Sequence, residues 1–325
     1  MTGTLLTGTL LTGTLLTGTG PRLLHPGPDP VGLAGHTARY GPVPSGLGRR
    51  EREALIAEVD RAGLTGRGGA GFPTARKLAA VAAGCTPVVV VNGTEGEPAS
   101  VKDRVLMARS PHLVLDGAVL AAEVTGARTA VIVAHRDVRE FVAEAAAERA
   151  RAGLDRVRLE VRTAADGFVA GQASAVVRWV QQGVAAPTAT PPRLAQRGLR
   201  GAPTLVQNVE TLAHLALIAR YGAAWFRSAG TPAEPGTMLV TVLGAVRQPG
   251  GLEVGIGTLV GQVLDLAGGA SAPVQALLLG GYFGAWVAAD LALDRPFSSA
   301  GLADLGAGPG AGLVAVLPVP PGGGR

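Results

Sequence analysis

The sequence predicts an α/β layered sheet followed by a small α+β unit, and three observations carry that expectation. Short β-branched runs alternate with amphipathic helical stretches from about residue 50 to 220, the pattern of strands crossed over by helices. The strand-like run Thr86–Val91 (TPVVVV) is continuously apolar rather than alternating, as a strand buried on both faces requires. After Thr231 one helical stretch lies between strand-like runs in about eighty residues, too short for a second layered sheet.

Taken in order, residues 1–48 read as a disordered, low-complexity segment. Leu-Leu-Thr-Gly-Thr occurs three times between Leu5 and Thr19, and Pro and Gly follow to residue 48. A five-residue period matches no packed repeat. Residues 51–62 have apolar positions at helical spacing and stop at Gly63. A glycine-rich stretch, Gly66-Arg67-Gly68-Gly69-Ala70-Gly71-Phe72, leads to a helix over 75–83. The strand ending at Val91 gives way to a polar loop, Asn92–Pro98. Helix is expected over 111–125 and 137–152, with strand over 129–134 and 157–162. Residues 186–203 read as a Pro/Arg-rich loop and Gln207–Arg220 as an amphipathic helix. Beyond Thr231, strands are expected at Met238–Leu243 and Gln275–Leu279, with a turn at Gln248–Gly251 and a helix at Thr258–Ala267. Pro318–Arg325 reads as a solvated tail. The resulting division is 1–48 disordered, 49–230 the α/β domain, 231–318 the α+β domain and 319–325 tail.

Composition removes several functions. With 47% hydrophobic residues and a net charge of +5 the chain is not wholly disordered. One cysteine, Cys85, excludes a disulfide framework and a cysteine-ligated iron–sulfur cluster held by this chain alone; preceding a buried strand, it reads as an inert thiol. The arginines are scattered without interleaved aromatics, so no nucleic-acid partner is expected. No apolar run is long enough for a membrane span, and no export signal is evident, so a cytoplasmic location is expected.

Three stretches have ligand-binding character. The glycines at 66–71 let a backbone approach a phosphate, with Lys77 on the following helix; on composition alone a flexible loop in a Gly-rich chain is the more ordinary reading. Asn92, Thr94 and Glu95 follow a buried strand, where ligands of open α/β sheets sit, or form a solvated loop. Asn208 and Thr211 either cap a helix or meet a ligand. The histidines form no metal constellation, and no hydrolase motif occurs.

Together these stretches resemble a known family. GRGGAGFPTARK (66–77), NGTEGEPASVKDR (92–104), Pro111-His112 and NVETLA (208–213) recur in that order in the NADH-binding flavoprotein subunit of bacterial respiratory complex I and in the related module of NAD-linked hydrogenases. The resemblance spans about residues 50–318. It implies an FMN-binding α/β domain followed by an SLBB-like β-grasp domain, and hydride transfer from NADH to FMN. Electrons would pass to an iron–sulfur or membrane redox partner subunit. It places Gly66, Arg67, Gly68, Gly69, Gly71 and Lys77 around the flavin, Asn92, Thr94, Glu95 and Gly171 along it, Asn208 and Thr211 at its phosphate, and Phe72 against NADH. Departures from the family pattern accompany the matches. Thr94 replaces an aspartate, Gly171-Gln-Ala-Ser174 replaces a segment with two glutamates, Phe168 replaces a tyrosine, and two NADH-stacking aromatics have no counterpart near Ala80 and Arg193. The alternative is a degenerate flavin-fold binding or assembly module that does not oxidise NADH.

Overall fold

The structure, a computed structural model, describes residues 22–25, 30–188 and 193–320. The chain forms two compact units, one of Gly20–Pro98 with Leu106–Phe226, the other containing Ala99–Val105 and the chain from Arg227 onward.

The first unit is built on four parallel strands: β1 (Val88–Gly93), β2 (Thr129–Ala134), β3 (Arg158–Thr163) and β4 (Thr204–Asn208), in the order β3-β2-β1-β4. The chain steps outward from β1 to β2 to β3, then returns to place β4 on the other side of β1. That reversal is a topological switch point, and it lies between β1 and β4. Helices fill both faces because both faces of each central strand are apolar. Val90, Val131, Val133 and Val206 pack with Val176 and Val177 of α7 (Ala173–Gln182). The alternate set, Val89, Val91, Ile132 and Leu205, is fully buried on the other side, the layer of α5 (Pro111–Thr125) and α8 (Val209–Phe226). These two helices cross at contact distance: a Cβ built on Gly117 would lie 2.0 Å from the Leu212 carbonyl oxygen.

The described residues here also form the helices α2 (Arg49–Ala62), α3 (Thr74–Ala82), α4 (Lys102–Arg109) and α6 (Arg139–Arg151). The first, α2, stops at Gly63, whose φ of +71 is the left-handed helix end that glycine adopts without strain.

The described residues before position 49 correct the expectation of disorder there. Leu33–Tyr40 forms helix α1. Its His36 Nε2 lies 2.7 Å from Asp116 Oδ2, the Leu33 N–H donates to Glu148 Oε2 at 2.8 Å, and the Tyr40 hydroxyl donates to the Arg22 carbonyl at 2.7 Å. The anchors are single polar contacts rather than an apolar stripe, so periodicity carries no sign of them. Residues 1–21, 26–29 and 321–325 of the segments expected to be disordered lie outside the described residues.

The second unit is a mixed sheet, β6-β5-β9-β7-β8: β5 (Thr237–Gly244), β6 (Gly250–Gly255), β7 (Val274–Leu279), β8 (Ala285–Ala288) and β9 (Leu313–Pro318). Helix α9 (Val260–Leu266) packs Val260, Val263 and Leu264 into the core formed with Val240, Val242, Leu277 and Val314. Strands β6, β8 and β9 add to those expected from the sequence. In β6, Gly250-Gly251 masks a strand paired antiparallel to β5. In β8, the four residues are too few to show a period.

Candidate functional site

The expected ligand residues of the first unit gather at the carboxyl ends of β1 and β4, on the two sides of the switch point. Asn92 of β1 and Asn208 of β4 are register partners. Gln207 and Asn208 do not open the helix, as their sequence suggests; they close a strand, and α8 starts at Val209. The five-residue strand Thr204–Asn208 follows a Pro/Arg-rich loop and merges into helical periodicity, which hides it from a local reading. Asn208 still caps, since its Oδ1 accepts from the Glu210 N–H at 3.0 Å.

Over this crevice stands the glycine loop. Its neck is closed by the Thr65–Pro73 bridge, the Gly66 N–H to Phe72 carbonyl bond (2.9 Å) and the Thr74 N–H to Leu64 carbonyl bond (2.9 Å). Gly68, Gly69 and Gly71 are exposed at its tip. Gly69 and Gly71 have φ of +99 and +61, so side chains there would be strained as well as obstructive. Gly68 reaches Asn208: a Cβ on it would sit 3.5 Å from the Asn208 Cβ. Thr211, fully buried, accepts the Arg67 N–H at 2.8 Å through Oγ1 and so ties the loop to α8. Its hydroxyl oxygen is thereby used as an acceptor by the loop backbone, and its O–H remains a donor.

The β1 side is tied as firmly. Asn92 Nδ2 donates to the Gly171 carbonyl at 2.8 Å, and Asn92 Oδ1 accepts from the Thr94 N–H at 3.3 Å. Gly96 and Gly171 touch backbone to backbone, with room for a side chain on neither. This fixes the N-terminus of α7 beside β1, just as β4 runs directly into the N-terminus of α8. Two helix N-termini thus lie at the strand ends, and their helix dipoles favour negative charge there. Glu95 follows in the left-handed region (φ +52).

Two groups have the chemistry to meet a ligand. Thr94 is 4% exposed, and its Oγ1 is buried without a hydrogen-bond partner. A buried hydroxyl left in that state is costly. Lys77 reaches across from α3 to β4, where Nζ donates to the Val206 carbonyl and, at 3.1 Å, to Gln207 Oε1. Burial pushes its ammonium below the ordinary lysine range. Both acceptors are neutral, so the charge is not compensated. Phe72, 49% exposed, stands at the foot of the loop with the Arg76 guanidinium 5.8 Å over its ring. Cys85, expected to be an inert thiol, is exposed.

The chain is similar to known proteins. Residues 59–217 match the family model described as the Nuo51 FMN-binding domain, and residues 239–281 match the SLBB domain. The F 2 chain of the NADH-quinone oxidoreductase of Rhizobium meliloti is 33% identical over 260 residues, 74% of this chain and 62% of that protein. The alpha chain of the NAD-reducing hydrogenase HoxS of Cupriavidus necator is 35% identical over 232 residues, 66% of this chain and 38% of that protein. The crystal structure of an NAD+-reducing [NiFe]-hydrogenase in the air-oxidized state superposes with a TM-score of 0.76 at 36% identity, covering 83% of this chain and 47% of that one. The chain therefore spans between about two-fifths and three-fifths of the length of these relatives.

Proposed function

The chain belongs to the family of Nuo51-type NADH-binding flavoproteins, and from that premise we propose that it binds FMN in the crevice between β1 and β4 and takes electrons from NADH for delivery to a redox partner. The observation that carries the proposal is the convergence at one switch point of the glycine loop, the paired Asn92 and Asn208, and a half-buried lysine with only neutral hydrogen-bond acceptors. FMN, when bound, accepts a hydride and releases electrons singly, which is the chemistry such a relay requires.

The chain's own residues bind and orient. Gly68, Gly69 and Gly71 present backbone without side chains, and Gly66 and Arg67 hold the loop at its neck. The helix N-termini after Gly171 and Asn208 supply positive potential for a phosphate, and Lys77 adds a full charge. Thr94 offers its unpaired hydroxyl to a polar edge of the flavin, with Glu95 beside it. Asn92 and Thr211 set the walls through their bonds to Gly171 and Arg67. Phe72 gives an exposed apolar face on which a nicotinamide or adenine ring stacks.

Relatives named as subunits of a quinone oxidoreductase and of a hydrogenase support a redox partner subunit for this chain, for which the family resemblance implies an iron–sulfur or membrane component. Among the described residues no single helix is long and apolar enough to cross a membrane. A cytoplasmic site of action is the proposal that follows from its chemistry with NADH.

One observation favours the second reading, a flavin-fold module that does not oxidise NADH. The α7 N-terminus at Gly171–Ser174 has no carboxylate, and Ser174 Oγ is engaged by the Thr188 N–H at 3.4 Å. Fluorescence titration with FMN tests the site. The chain should bind it at micromolar concentration or better, and Gly68→Phe, which fills the crevice beside Asn208, should abolish binding while leaving the thermal midpoint in place. Equal binding by both proteins would refute the assignment.

A further inference from the structure

Gln207 lies at the heart of the crevice yet offers the solvent little, being 4% exposed. It is the penultimate residue of β4, and its side chain bridges two residues of α3. Oε1 accepts from Lys77 Nζ at 3.1 Å, and Nε2 donates to Thr74 Oγ1 at 3.3 Å. The orientation of this amide is fixed by chemistry: an ammonium only donates, so the oxygen must face Lys77 and the NH2 must face the threonine hydroxyl. Thr74, 1% exposed, is itself held by its N–H bond to the Leu64 carbonyl at the neck of the glycine loop. A continuous path therefore runs from the loop neck through Thr74 and Gln207 to the Lys77 ammonium.

The neutrality of this bridge is its informative property. The usual partner of a lysine drawn out of solvent is a carboxylate, and Lys77 is half-buried. No carboxylate of the described residues pairs with Lys77 Nζ. Those on the helices packed against α3 are engaged elsewhere: Glu51 of α2 by the Gly48 N–H, Glu53 of α2 by Arg49, Glu58 of α2 by Arg61 and the Ala223 N–H, Asp116 of α5 by Arg149, Arg220 and His36, and Glu123 of α5 by the Leu47 N–H. Asp60 of α2 is exposed, His112 of α5 is paired with Glu148, and β4 carries no titratable group. An amide at position 207 holds the lysine by a hydrogen bond while leaving its charge unspent. The ammonium has three donors, two of them used, so one stays available to an anion.

We infer that Gln207 is a positioning residue that fixes the Lys77 ammonium, uncompensated, at the crevice so that its charge is available to an anionic group of the bound cofactor. The cofactor itself rests on the FMN reading above; the state of Lys77 does not. A glutamate at 207 would keep the shape and the hydrogen bond but cancel the charge. A methionine would keep the volume but lose the acceptor.

The test uses the full chain, with Gln207→Glu and Gln207→Met beside the parent protein. The first readout is the NMR titration of the Lys77 Nζ in flavin-free protein. Gln207→Glu should raise its midpoint by about one unit or more, since a carboxylate within hydrogen-bond distance favours the charged form, and Gln207→Met should lower it. The second readout is FMN affinity at neutral pH, which should fall about tenfold or more in both variants, for opposite reasons. Opposite movements of the titration with weakened FMN binding support the inference. A titration midpoint that does not move in Gln207→Glu overturns it, as does a loss of thermal stability in both variants with no opposite shifts. Should Gln207→Met fail to fold, the isosteric Gln207→Glu alone decides. If the parent protein binds no FMN while the Lys77 shifts occur, the flavin reading fails and the placement of Lys77 by Gln207 stands.

Discussion

Replacing Asp116 by asparagine is expected to remove a large part of the stability of the first unit. The carboxylate is 1% exposed and ties α5 to α6, α8 and α1. It accepts from Arg149 Nη1 at 2.7 Å, from Arg220 Nη2, and meets His36 Nε2 at 2.7 Å. Arg149 is fully buried and also forks onto Asp155 at 2.8 and 2.7 Å. The amide would keep the volume but turn an NH2 toward one of these donors and leave two buried guanidinium groups sharing less negative charge. Removing one partner of a buried ionic network costs about 3–5 kcal/mol, out of a typical 5–15 kcal/mol for a domain. Urea denaturation followed by circular dichroism should show that loss, and trypsin should cut at Arg39 of α1 faster as the His36 anchor loosens. The pH dependence has a definite sign. Burial pushes the Asp116 carboxyl up, but the His36 hydrogen bond and the charges of Arg149 and Arg220 outweigh it and hold the group far below the carboxylate range. A depressed carboxyl stabilises the fold above its unfolded value, near pH 4, and that contribution is lost as the pH falls further. The parent should therefore lose stability more steeply below about pH 4 than the variant. A loss under about 1 kcal/mol at neutral pH, with parallel acid limbs, would refute the network as a stabilising element.

Other substitutions probe separate parts of the account. Gly117→Ala gains helix propensity, but its Cβ would fall 2.0 Å from the Leu212 carbonyl oxygen; a net loss of about 2 kcal/mol or more is expected by thermal or urea unfolding, because α5 and α8 must separate. Thr94→Val removes the buried unpartnered hydroxyl, so the flavin-free protein should be as stable or more so, while FMN affinity falls about fivefold in a fluorescence titration. Phe72→Ala should leave stability within about 0.5 kcal/mol and raise the apparent KM for NADH about fivefold in stopped-flow reduction of bound flavin.

The α/β core was legible from the sequence because its signals are local. Val88–Val91 and Thr129–Ala134 are β-branched runs, and Pro111–Thr125 is bounded by Pro and Gly. The glycine loop and the Asn92 loop were legible as motifs, and the structure places both at the same end of the sheet. What escaped depends on pairing at a distance. Strand β4 is recognisable only by its register with β1, and β6, β8 and β9 only by theirs with β5 and β7. Helix α1 is held by His36 and Leu33 reaching residues 80 and 115 positions away, separations that no local window sees. The same limit applies at the site. The partners that Lys77 finds on β4 and Thr211 finds on the loop backbone had no sign in the spacing of their motifs. Gln207 carried no motif signal of its own beyond its place beside Asn208.

The most direct measurement of the central claim is anaerobic mixing of the FMN-reconstituted chain with NADH, followed by the visible absorbance of the flavin. The account predicts a yellow protein whose colour NADH bleaches and an electron acceptor restores. A chain that binds no flavin at micromolar concentration would contradict the assignment of the crevice, and a bound flavin that NADH leaves oxidised would contradict the proposed reaction.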